Sequence, residues 1–511
     1  MITKPLKLTD ARRRELARKL ASALGDGRVN ISEGVRQSYT GVAHAPKTAP
    51  DFVVLPDSVE DVQKVLRFAN RHLIPVTPVC SGSQEPSTNP MFGGIVIDCM
   101  SMNKILEVNA DAAYVLVEPG VTIGQLAKET RRHGFRVTVG SFPPGLSALG
   151  NYIVTNVNTH RATYRDDVVA LEVVLPDGTV ARTGSKAFGD SCDIGWHSVC
   201  NAYPDLKYLF LDAGGTLGVV TKAAVRMYAL NESRPLVAAA FDAYPQSLEM
   251  MKRLTRANLV QHVCVWHWVL YTIIDHLQLY GHGGSSDVMI HDPWNTPDDR
   301  PYNLVVPTMS GYREDMEGHL KSIRRLIAEL GGADYAEELK TRFPGAHAFF
   351  TEHYCEHVPT TTFMGGYGEA KPLFPIVIVD PAKVADLEHW ALRRLRSSIL
   401  KLGLAYYSHS TDQNRAVFIR FTPFMPFDSS PEEMEEAKKV YSEIMDTALR
   451  KYGAVPCRNT MRNDFFDKSE ATLNLMGGYA KLLRSIKKAL DPNNVLNPGF
   501  TAAYYGGLSN K

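Results

Sequence analysis

Small and hydroxyl-bearing residues follow a predicted strand near residue 80, in the order Pro78-Val79-Cys80-Ser81-Gly82-Ser83-Gln84. Small side chains let the backbone come close to a ligand, and successive N–H groups in such a turn can hold a phosphate. An ordinary surface turn has the same composition. The segment therefore has two interpretations, a pyrophosphate-binding loop and a turn without function.

A second long turn, between Gly140 and Asn151, is uncharged and poor in helix-forming residues. Backbone amides beside small uncharged side chains suit a flat ring such as that of a redox cofactor. Neither turn has the Gly-x-Gly-x-x-Gly pattern that opens a helix, and the sequence lacks Gly-x-x-x-x-Gly-Lys-Ser/Thr. The sequence therefore does not support a Rossmann or P-loop site.

Strands and helices alternate along the chain and must position these turns. The first half predicts strands at 51–55, 74–79, 94–98, 114–117, 168–175, 179–183 and 218–228, and helices at 59–72 and 122–133. The second half predicts strands at 236–241, 262–272, 303–310, 374–380 and 416–422, and helices at 246–257, 315–330, 384–402 and 432–452. We expect an α+β fold in which a large antiparallel sheet, with helices on one side, caps a cofactor held by the first domain.

Composition narrows the class of protein. The 511 residues include 56 Lys and Arg and 55 Asp and Glu, so the protein has no large net charge that would attract nucleic acid. A small-molecule substrate is the expected partner. No run of about 18 apolar residues and no secretory signal occurs, so we expect no membrane span. The seven cysteines show no Cys-x-x-Cys spacing, which argues against disulfides and metal and favours a cytoplasmic location.

Six ordered segments resemble the flavoproteins of the vanillyl-alcohol oxidase and p-cresol methylhydroxylase type. They contain Val53 to Val62, Val117 to Thr122, Ser147 to Asn151, Glu172 to Leu175, Gly215 to Lys222 and Leu490 to Gly499. The resemblance implies a PCMH-type FAD-binding domain of two subdomains and a separate cap domain. We expect an N-terminal helical extension at 1–50, the FAD-binding domain at 51–232, the cap or substrate domain at 233–455, and a C-terminal segment at 456–511 that returns to the FAD domain.

The resemblance also implies which residues hold FAD. The pyrophosphate is assigned to the turn near residue 80, with Ser81, Gly82, Ser83 and Gln84, and the flavin to the turns near 119 and 147, with Pro119, Gly120, Ser147, Gly150 and Asn151. The adenosine half is assigned to Gly218 and Val220, in the strand starting at 218. Closure over the ring is assigned to Asn497, in the C-terminal turn.

Several positions depart from the family pattern. Many relatives attach FAD covalently through a histidine in the first loop, or through a histidine or tyrosine in a cap strand. This chain has Cys80-Ser81 and Asn414-Arg415 there, which implies noncovalent FAD unless Cys80 or another thiol substitutes. Arg415 is expected either to pair with a phosphate or flavin oxygen or to be a surface arginine.

Substrate chemistry is assigned to Arg458, because phenol-oxidising relatives place an arginine, preceded by a tyrosine, near the flavin. A fixed cation there stabilises the anionic reduced ring. Here Cys457 replaces the tyrosine, and the relatives' acidic residue beside the flavin corresponds to Thr163. Alternatives for this last position are His160, Arg161 and Tyr164.

His409 is the candidate acid or base, because it comes shortly before the predicted strand at 416–422 that would cross the flavin. Trp266 and Trp268 alternate along the predicted strand at 262–272, so they would share one face. That face is either an aromatic substrate wall or buried packing.

These assignments give one main hypothesis and two alternatives. The protein would transfer a hydride from a C–H bond beside an aromatic ring or hydroxyl group to FAD, with reoxidation by O2, a cytochrome or a quinone. One alternative is a 2-hydroxy-acid dehydrogenase of the D-lactate or glycolate type, in which Arg458 or Arg415 binds the carboxylate. The other is a non-catalytic flavoprotein subunit of a complex. We also expect a homo-oligomer.

Overall fold

A computed structural model of the chain gives the fold. It describes residues 2–25, 27–40, 48–81, 90–138, 143–155, 167–189, 194–198, 203–280, 298–355, 370–372, 376–398, 408–412, 416–420, 424–426, 430–456 and 476–499. Within these ranges, the helices are too short or too polar to cross a lipid bilayer.

The first sheet has four strands in the order β1-β2-β4-β3, with β1 antiparallel and the other three parallel. Its elements are α1 (Asp10–Leu24), β1 (Val29–Asn30), α2 (Glu33–Ser38), β2 (Phe52–Val54), α3 (Val59–His72), β3 (Val76–Val79) and β4 (Ile95–Asp98). Ser58 caps α3 by accepting a hydrogen bond from the Asp61 N–H at 3.2 Å. The apolar faces of α1 and α3 pack on this sheet in one core, so the N-terminal helix is part of the sheet's support.

The second sheet has five strands, and each neighbouring pair is antiparallel, in the order β5-β6-β10-β8-β9. The elements of this region are β5 (Ile105–Asn109), β6 (Tyr114–Val117), α4 (Ile123–Arg132), β7 (Phe135–Arg136), the one-turn helix α5 (Ala148–Gly150), β8 (Val168–Val174), β9 (Val180–Arg182), β10 (Val219–Arg226) and β11 (Tyr228–Ala229), with β7 paired to β11. One face of the sheet packs on α4 and α5, and the other packs on Trp196.

The third sheet, which we call the cap sheet, has eight strands in the order β15-β12-β14-β13-β18-β19-β17-β21. Its strands are β12 (Ala239–Phe241), β13 (His262–His267), β14 (Asn303–Thr308), β15 (Ala333–Asp334), β17 (Ile376–Val379), β18 (Ser408–Asp412), β19 (Ala416–Arg420) and β21 (Val455–Pro456), and a separate pair joins β16 (Ala370–Pro372) to β20 (Phe424–Pro426). The helices of this part are α6 (Tyr244–Arg256), α7 (Trp268–Tyr280), α8 (Arg313–Glu329), α9 (Ala336–Arg342), α10 (Pro344–Ala348), α11 (Val384–Arg396) and α12 (Pro431–Arg450), and α13 (Gly478–Leu490) follows near the C-terminus.

Helices α6, α8, α11 and α12 bury one face of the cap sheet in a continuous apolar core. Over β12, β14 and β13, the opposite face is covered as well, by α7, α9, α10 and a wide helical turn at Phe349–Cys355. This α+β architecture confirms the predicted fold class. The second layer of helices over part of the sheet is a feature that the sequence pattern did not indicate.

The strand predicted at 262–272 is wrong in its second half. It ends at His267, and α7 begins at Trp268. The run Trp268-Val269-Leu270-Tyr271 is apolar throughout, and an apolar run does not distinguish a buried strand from a buried helix. Trp266 and Trp268 therefore do not alternate along one strand.

Candidate cofactor site

Ser147 joins the turn after β3 to the turn after β6. Its N–H donates to the Ser81 Oγ at 3.1 Å, and its own Oγ donates to the Pro119 carbonyl at 2.6 Å. The same Oγ accepts the Gly150 N–H at 2.9 Å, as the N-cap of α5. Ser147 is fully buried. The structure thus brings together four of the predicted FAD-binding residues, Ser81, Pro119, Ser147 and Gly150.

Gly150 and Gly120 lie where the backbone is closely surrounded. A Cβ on Gly150 would lie 3.3 Å from the Ser147 Oγ, and a Cβ on Gly120 would lie 2.4 Å from the Met100 carbonyl oxygen. The Gly120 N–H also donates to the Met102 carbonyl at 2.6 Å. Glycine at 120 is required because another backbone segment occupies the space of a side chain.

Helix α4 holds the second turn in place. Thr122 and Gln125 form a capping box at the start of α4, and Thr122 also forms an isolated β-bridge with Ser147. The Ala148 N–H donates to the Val121 carbonyl at 2.9 Å. The Asn151 Nδ2 donates to the Ser147 carbonyl at 2.9 Å, so Asn151 is attached to the same cluster.

The C-terminal turn lies beside β3. Leu496 forms a parallel bridge with Val76, and the Asn497 N–H donates to the Val76 carbonyl at 2.7 Å. The Asn497 Nδ2 donates to the Gly214 carbonyl at 2.7 Å, and Asn497 is 1% exposed. In the described structure this side chain therefore joins two turns, and its closure over a ring stays a prediction.

The turn at 213–218 packs against β3 and β8. A Cβ on Gly215 would lie 2.4 Å from the Pro78 Cγ, and one on Gly218 would lie 2.3 Å from a Val173 methyl group. Val220 is partly buried beside the core of the second sheet. Gly218 thus has a packing role, and contact of Gly218 and Val220 with adenosine stays a prediction.

Cys80 lies at the end of β3, next to Ser81. Burial raises the pKa of its thiol to about 12, so the thiol is protonated at neutral pH. A protonated thiol is a weak nucleophile. This chemistry disfavours Cys80 as a point of covalent attachment.

Several predicted site residues lie outside the described residues. These are Gly82, Ser83, Gln84, Thr163, Arg415 and Arg458, together with the alternatives His160, Arg161 and Tyr164. The backbone of His409 is described: in β18 it pairs in register with Val265 of β13 and Ile419 of β19. Its role as an acid or base stays a prediction.

Trp266 is fully buried and packs edge to face against Phe349, Phe350 and Tyr354, with ring centroids 5.1–6.0 Å apart. Trp268 is 4% exposed and belongs to the same core. Of the two interpretations of these tryptophans, the structure supports buried packing. In the described part of the chain, no group of three or more His, Cys, Asp or Glu side chains is arranged to hold a metal ion.

Lys487 and Asp491, which the sequence analysis did not single out, form a buried ion pair beside the C-terminal turn. The Lys487 Nζ donates to the Thr216 carbonyl and the Asp491 Oδ2, both at 2.6 Å, and to the Leu496 carbonyl at 2.9 Å. Asp491 accepts the Val495 and Leu496 N–H groups at 2.9 and 2.8 Å. Nothing in the sequence indicated that Lys487 is buried, since a lysine on a helix usually faces solvent.

Comparison with known proteins places this arrangement in a class. Residues 50–184 match the model of a FAD-binding domain, and residues 463–500 match the model of the C-terminal domain of FAD-linked oxidases. D-lactate dehydrogenase from Archaeoglobus fulgidus is 32% identical over 92% of this chain and 95% of its own length. The flavoprotein subunit of 4-cresol dehydrogenase (hydroxylating) from Pseudomonas putida is 24% identical over 97% of this chain and 96% of its own length.

The fold is similar to that of 4-ethylphenol oxidase from Gulosibacter chungangensis, with a TM-score of 0.79, 19% identity and 98% of both chains covered. The chain belongs to the FAD-linked oxidoreductases with a PCMH-type FAD-binding domain. Its cofactor is FAD. The described cluster fits this cofactor, because Ser81, Pro119, Gly120, Ser147 and Gly150 are small and uncharged and let a flat ring approach the backbone.

Proposed function

We propose that this FAD-dependent oxidoreductase removes a hydride from a small aromatic substrate, a phenol or an aryl alcohol. The observation that carries the proposal is the match of the whole chain to the fold of 4-ethylphenol oxidase, combined with the Ser81–Ser147–Pro119 cluster at the expected flavin site. A substrate of this class needs a closed, water-poor site, which a cap over the flavin supplies.

The residues have distinct roles in this proposal. Ser81, with Gly82, Ser83 and Gln84, holds the pyrophosphate. Pro119, Gly120, Ser147, Gly150 and Asn151 hold the flavin, Gly218 and Val220 contact the adenosine half, and Asn497 closes the site. FAD, when bound, accepts the hydride and passes the electrons to O2 or another acceptor, such as a cytochrome or a quinone.

Arg458 provides the fixed positive charge that binds a phenolate and stabilises negative charge near the reacting ring. His409 transfers the substrate proton, and Thr163 lies beside the reacting carbon. Arg415 pairs with a phosphate or flavin oxygen. The proposal also includes noncovalent FAD. The raised pKa of the Cys80 thiol supports this, because a protonated thiol is a weak nucleophile. It retains the division into domains at 1–50, 51–232, 233–455 and 456–511, a homo-oligomer and a cytoplasmic location.

A 2-hydroxy acid is the second candidate substrate. The observation in its favour is the 32% identity to D-lactate dehydrogenase over nearly the full length of both chains. In this case Arg458 or Arg415 would bind the substrate carboxylate through two parallel hydrogen bonds.

Anaerobic reduction of the flavin tests the two candidates directly. We expect 4-alkylphenols or aryl alcohols to bleach the visible flavin band, and D-lactate and glycolate to leave it unchanged. Bleaching by the hydroxy acids alone would select the second candidate. A protein that no donor bleaches would instead be a flavin-bearing subunit without catalysis, which copurification of a cytochrome would support.

Variants of two arginines test the positive charge assigned to Arg458. Arg458→Met should raise KM for the preferred donor and lower kcat, because a charge that binds the substrate anion and the developing negative charge is lost. Arg450→Met is the matched control, since Arg450 is an exposed residue of α12 that pairs with Asp446 at 2.7 Å. Unchanged kinetics of the Arg458 variant would exclude the proposed role.

Acid precipitation tests the attachment of FAD. We expect the yellow colour to leave the protein and remain in the supernatant. A yellow pellet would show covalent flavin.

A further inference from the structure

Lys487 lies at the junction of two turns that the proposed site assigns to FAD. We propose that Lys487 is a positioning residue, which holds the C-terminal turn at 494–499 against the turn at 213–218 so that both can bind FAD. The inference rests on the proposed FAD site. It adds a residue outside the segments assigned to direct FAD contact.

The contacts of Lys487 join three separate parts of the chain. Its Nζ donates to the Thr216 carbonyl in one turn, to the Leu496 carbonyl in the other, and to Asp491 at the end of its own helix, at 2.6, 2.9 and 2.6 Å. An ammonium group has three donors, and here each has an acceptor. Lys487 is 2% exposed, so water cannot readily replace these bonds.

Asp491 orients the same junction from the opposite side. Its two oxygens accept the Val495 and Leu496 N–H groups, which fixes the start of the C-terminal turn. Its side chain is fully buried in the ion pair with Lys487. A buried ion pair gives little net stability compared with apolar residues of similar volume. The particular value of this pair is therefore the fixed geometry that it imposes on the two turns.

The two turns reach the proposed cofactor site through β3. Asn497 is bonded to Val76 of β3 and to Gly214, and Gly215 packs on Pro78, three residues before Ser81. A displaced C-terminal turn would therefore displace Asn497 and loosen the 213–218 turn next to the pyrophosphate-binding segment. Burial lowers the pKa of Lys487 to about 8, and the amine is still mainly protonated at neutral pH, as its three donor bonds require.

Two variants separate positioning from stability. Lys487→Met removes the donors and leaves Asp491 with an uncompensated buried charge. The double variant Lys487→Met with Asp491→Asn removes that charge but leaves a single oxygen to accept the Val495 and Leu496 N–H groups, so it should recover only part of the lost stability. Both variants still lack a donor for the Thr216 and Leu496 carbonyls. We therefore expect both to bind FAD about tenfold or more weakly than the unchanged protein, even when the apoprotein is folded.

Lys207→Met is the matched control. Lys207 is 4% exposed and pairs with Asp205 at 2.9 Å, but its Nζ donates to the Ser198 Oγ at 3.3 Å and not to the turns at 213–218 or 494–499. The measurement is the dissociation constant of FAD from quenching of its fluorescence by the apoprotein, alongside thermal unfolding of each apoprotein. The control should lose stability and keep its FAD affinity within about twofold.

A double variant that binds FAD as tightly as the unchanged protein would overturn the positioning role. Weak FAD binding by the Lys207 variant, equal to that of the Lys487 variant at equal stability, would also overturn it, because the effect would then follow stability alone. These results are independent of catalysis. A protein that binds FAD with the expected pattern but is reduced by no donor would contradict the proposed function and leave the role of Lys487 intact.

Discussion

Two regions of the molecule are held together in different ways. In the cofactor region, by which we mean the described residues from 48 to 229 with 476–499, hydrogen bonds of buried side chains join turns that are distant in sequence, such as Lys487 to Thr216. In the cap region, the described residues from 233 to 456, two apolar clusters pack helices on the sheet. The comparison suggests that turn geometry determines cofactor affinity and that apolar packing determines the stability of the cap.

Two glycines provide the largest test of this difference. Gly120→Ala in the cofactor region and Gly345→Ala in the cap region would place a Cβ 2.4 Å from the Met100 carbonyl oxygen and 2.3 Å from the Asp275 carbonyl oxygen. Each change should cost about 3 kcal/mol of unfolding free energy, because backbone must move. Only Gly120→Ala should also weaken FAD binding in the folded protein, as measured by fluorescence titration.

Gly318→Ala is the control for this pair, since a Cβ there meets nothing within 4 Å and lies in α8. It should leave stability unchanged or raise it by up to about 1 kcal/mol. Equal loss of FAD affinity in the Gly120 and Gly345 variants would mean that the two regions are not functionally distinct in this way.

Buried hydroxyl groups give a second test within the cofactor region. The Ser147 Oγ donates to a carbonyl and accepts an N–H, and the Ser185 Oγ does the same, with Gly195 at 2.6 Å and His197 at 2.9 Å. Ser147→Ala and Ser185→Ala should each cost about 1–3 kcal/mol, because buried polar groups lose a partner. FAD affinity should fall for Ser147→Ala alone. If the Ser185 variant loses as much affinity, the effect is general loosening of the second sheet.

The sequence predicted the regular elements best where two signals agreed. Helices α3 and α4 were placed within a residue, because an apolar stripe coincides with the N-caps Ser58 and Thr122. The boundary between β13 and α7 was missed, because burial on all sides removes the polar face that reveals the period of a helix. Tertiary packing, which the sequence does not display, determined that boundary.

The sequence likewise indicated some residues of the candidate site and not others. The run of small uncharged residues indicated the turn that contains Ser147 and Gly150, since close approach of backbone needs such residues, and the family resemblance assigned both residues to the flavin, which stays a prediction. Lys487 was missed because Lys481, Lys487 and Lys488 look alike in the sequence of α13, although only Lys487 is fully buried. Its environment depends in part on Thr216, which is 271 residues away along the chain.

A buried histidine gives the cap region its own dependence on pH. Burial lowers the pKa of His267 to about 3, while the unfolded chain has the ordinary value near 6.5. The unfolded state therefore binds the proton more readily below pH 6.5, and stability falls as the pH decreases. Between pH 7 and pH 5 the loss should be about 2 kcal/mol in urea unfolding, and His267→Gln should remove that part of the slope. An identical slope in the variant would assign the acid sensitivity to other groups.

Matched capping boxes provide the smallest and most specific test. Thr122 with Gln125 begins α4, and Ser430 with Glu433 begins α12, so each region has one helix with the same device. Thr122→Ala and Ser430→Ala should each lower the unfolding free energy by about 1 kcal/mol, since one N-terminal N–H loses its acceptor. The Thr122 backbone also bridges that of Ser147, so a shift of the start of α4 in its variant should weaken FAD binding slightly, whereas the Ser430 variant should bind FAD unchanged. Because the local cost is equal, any difference in FAD affinity measures how far the geometry of α4 is transmitted to the cofactor turn. If the two variants bind FAD with equal affinity, the Thr122 side chain affects only its own helix.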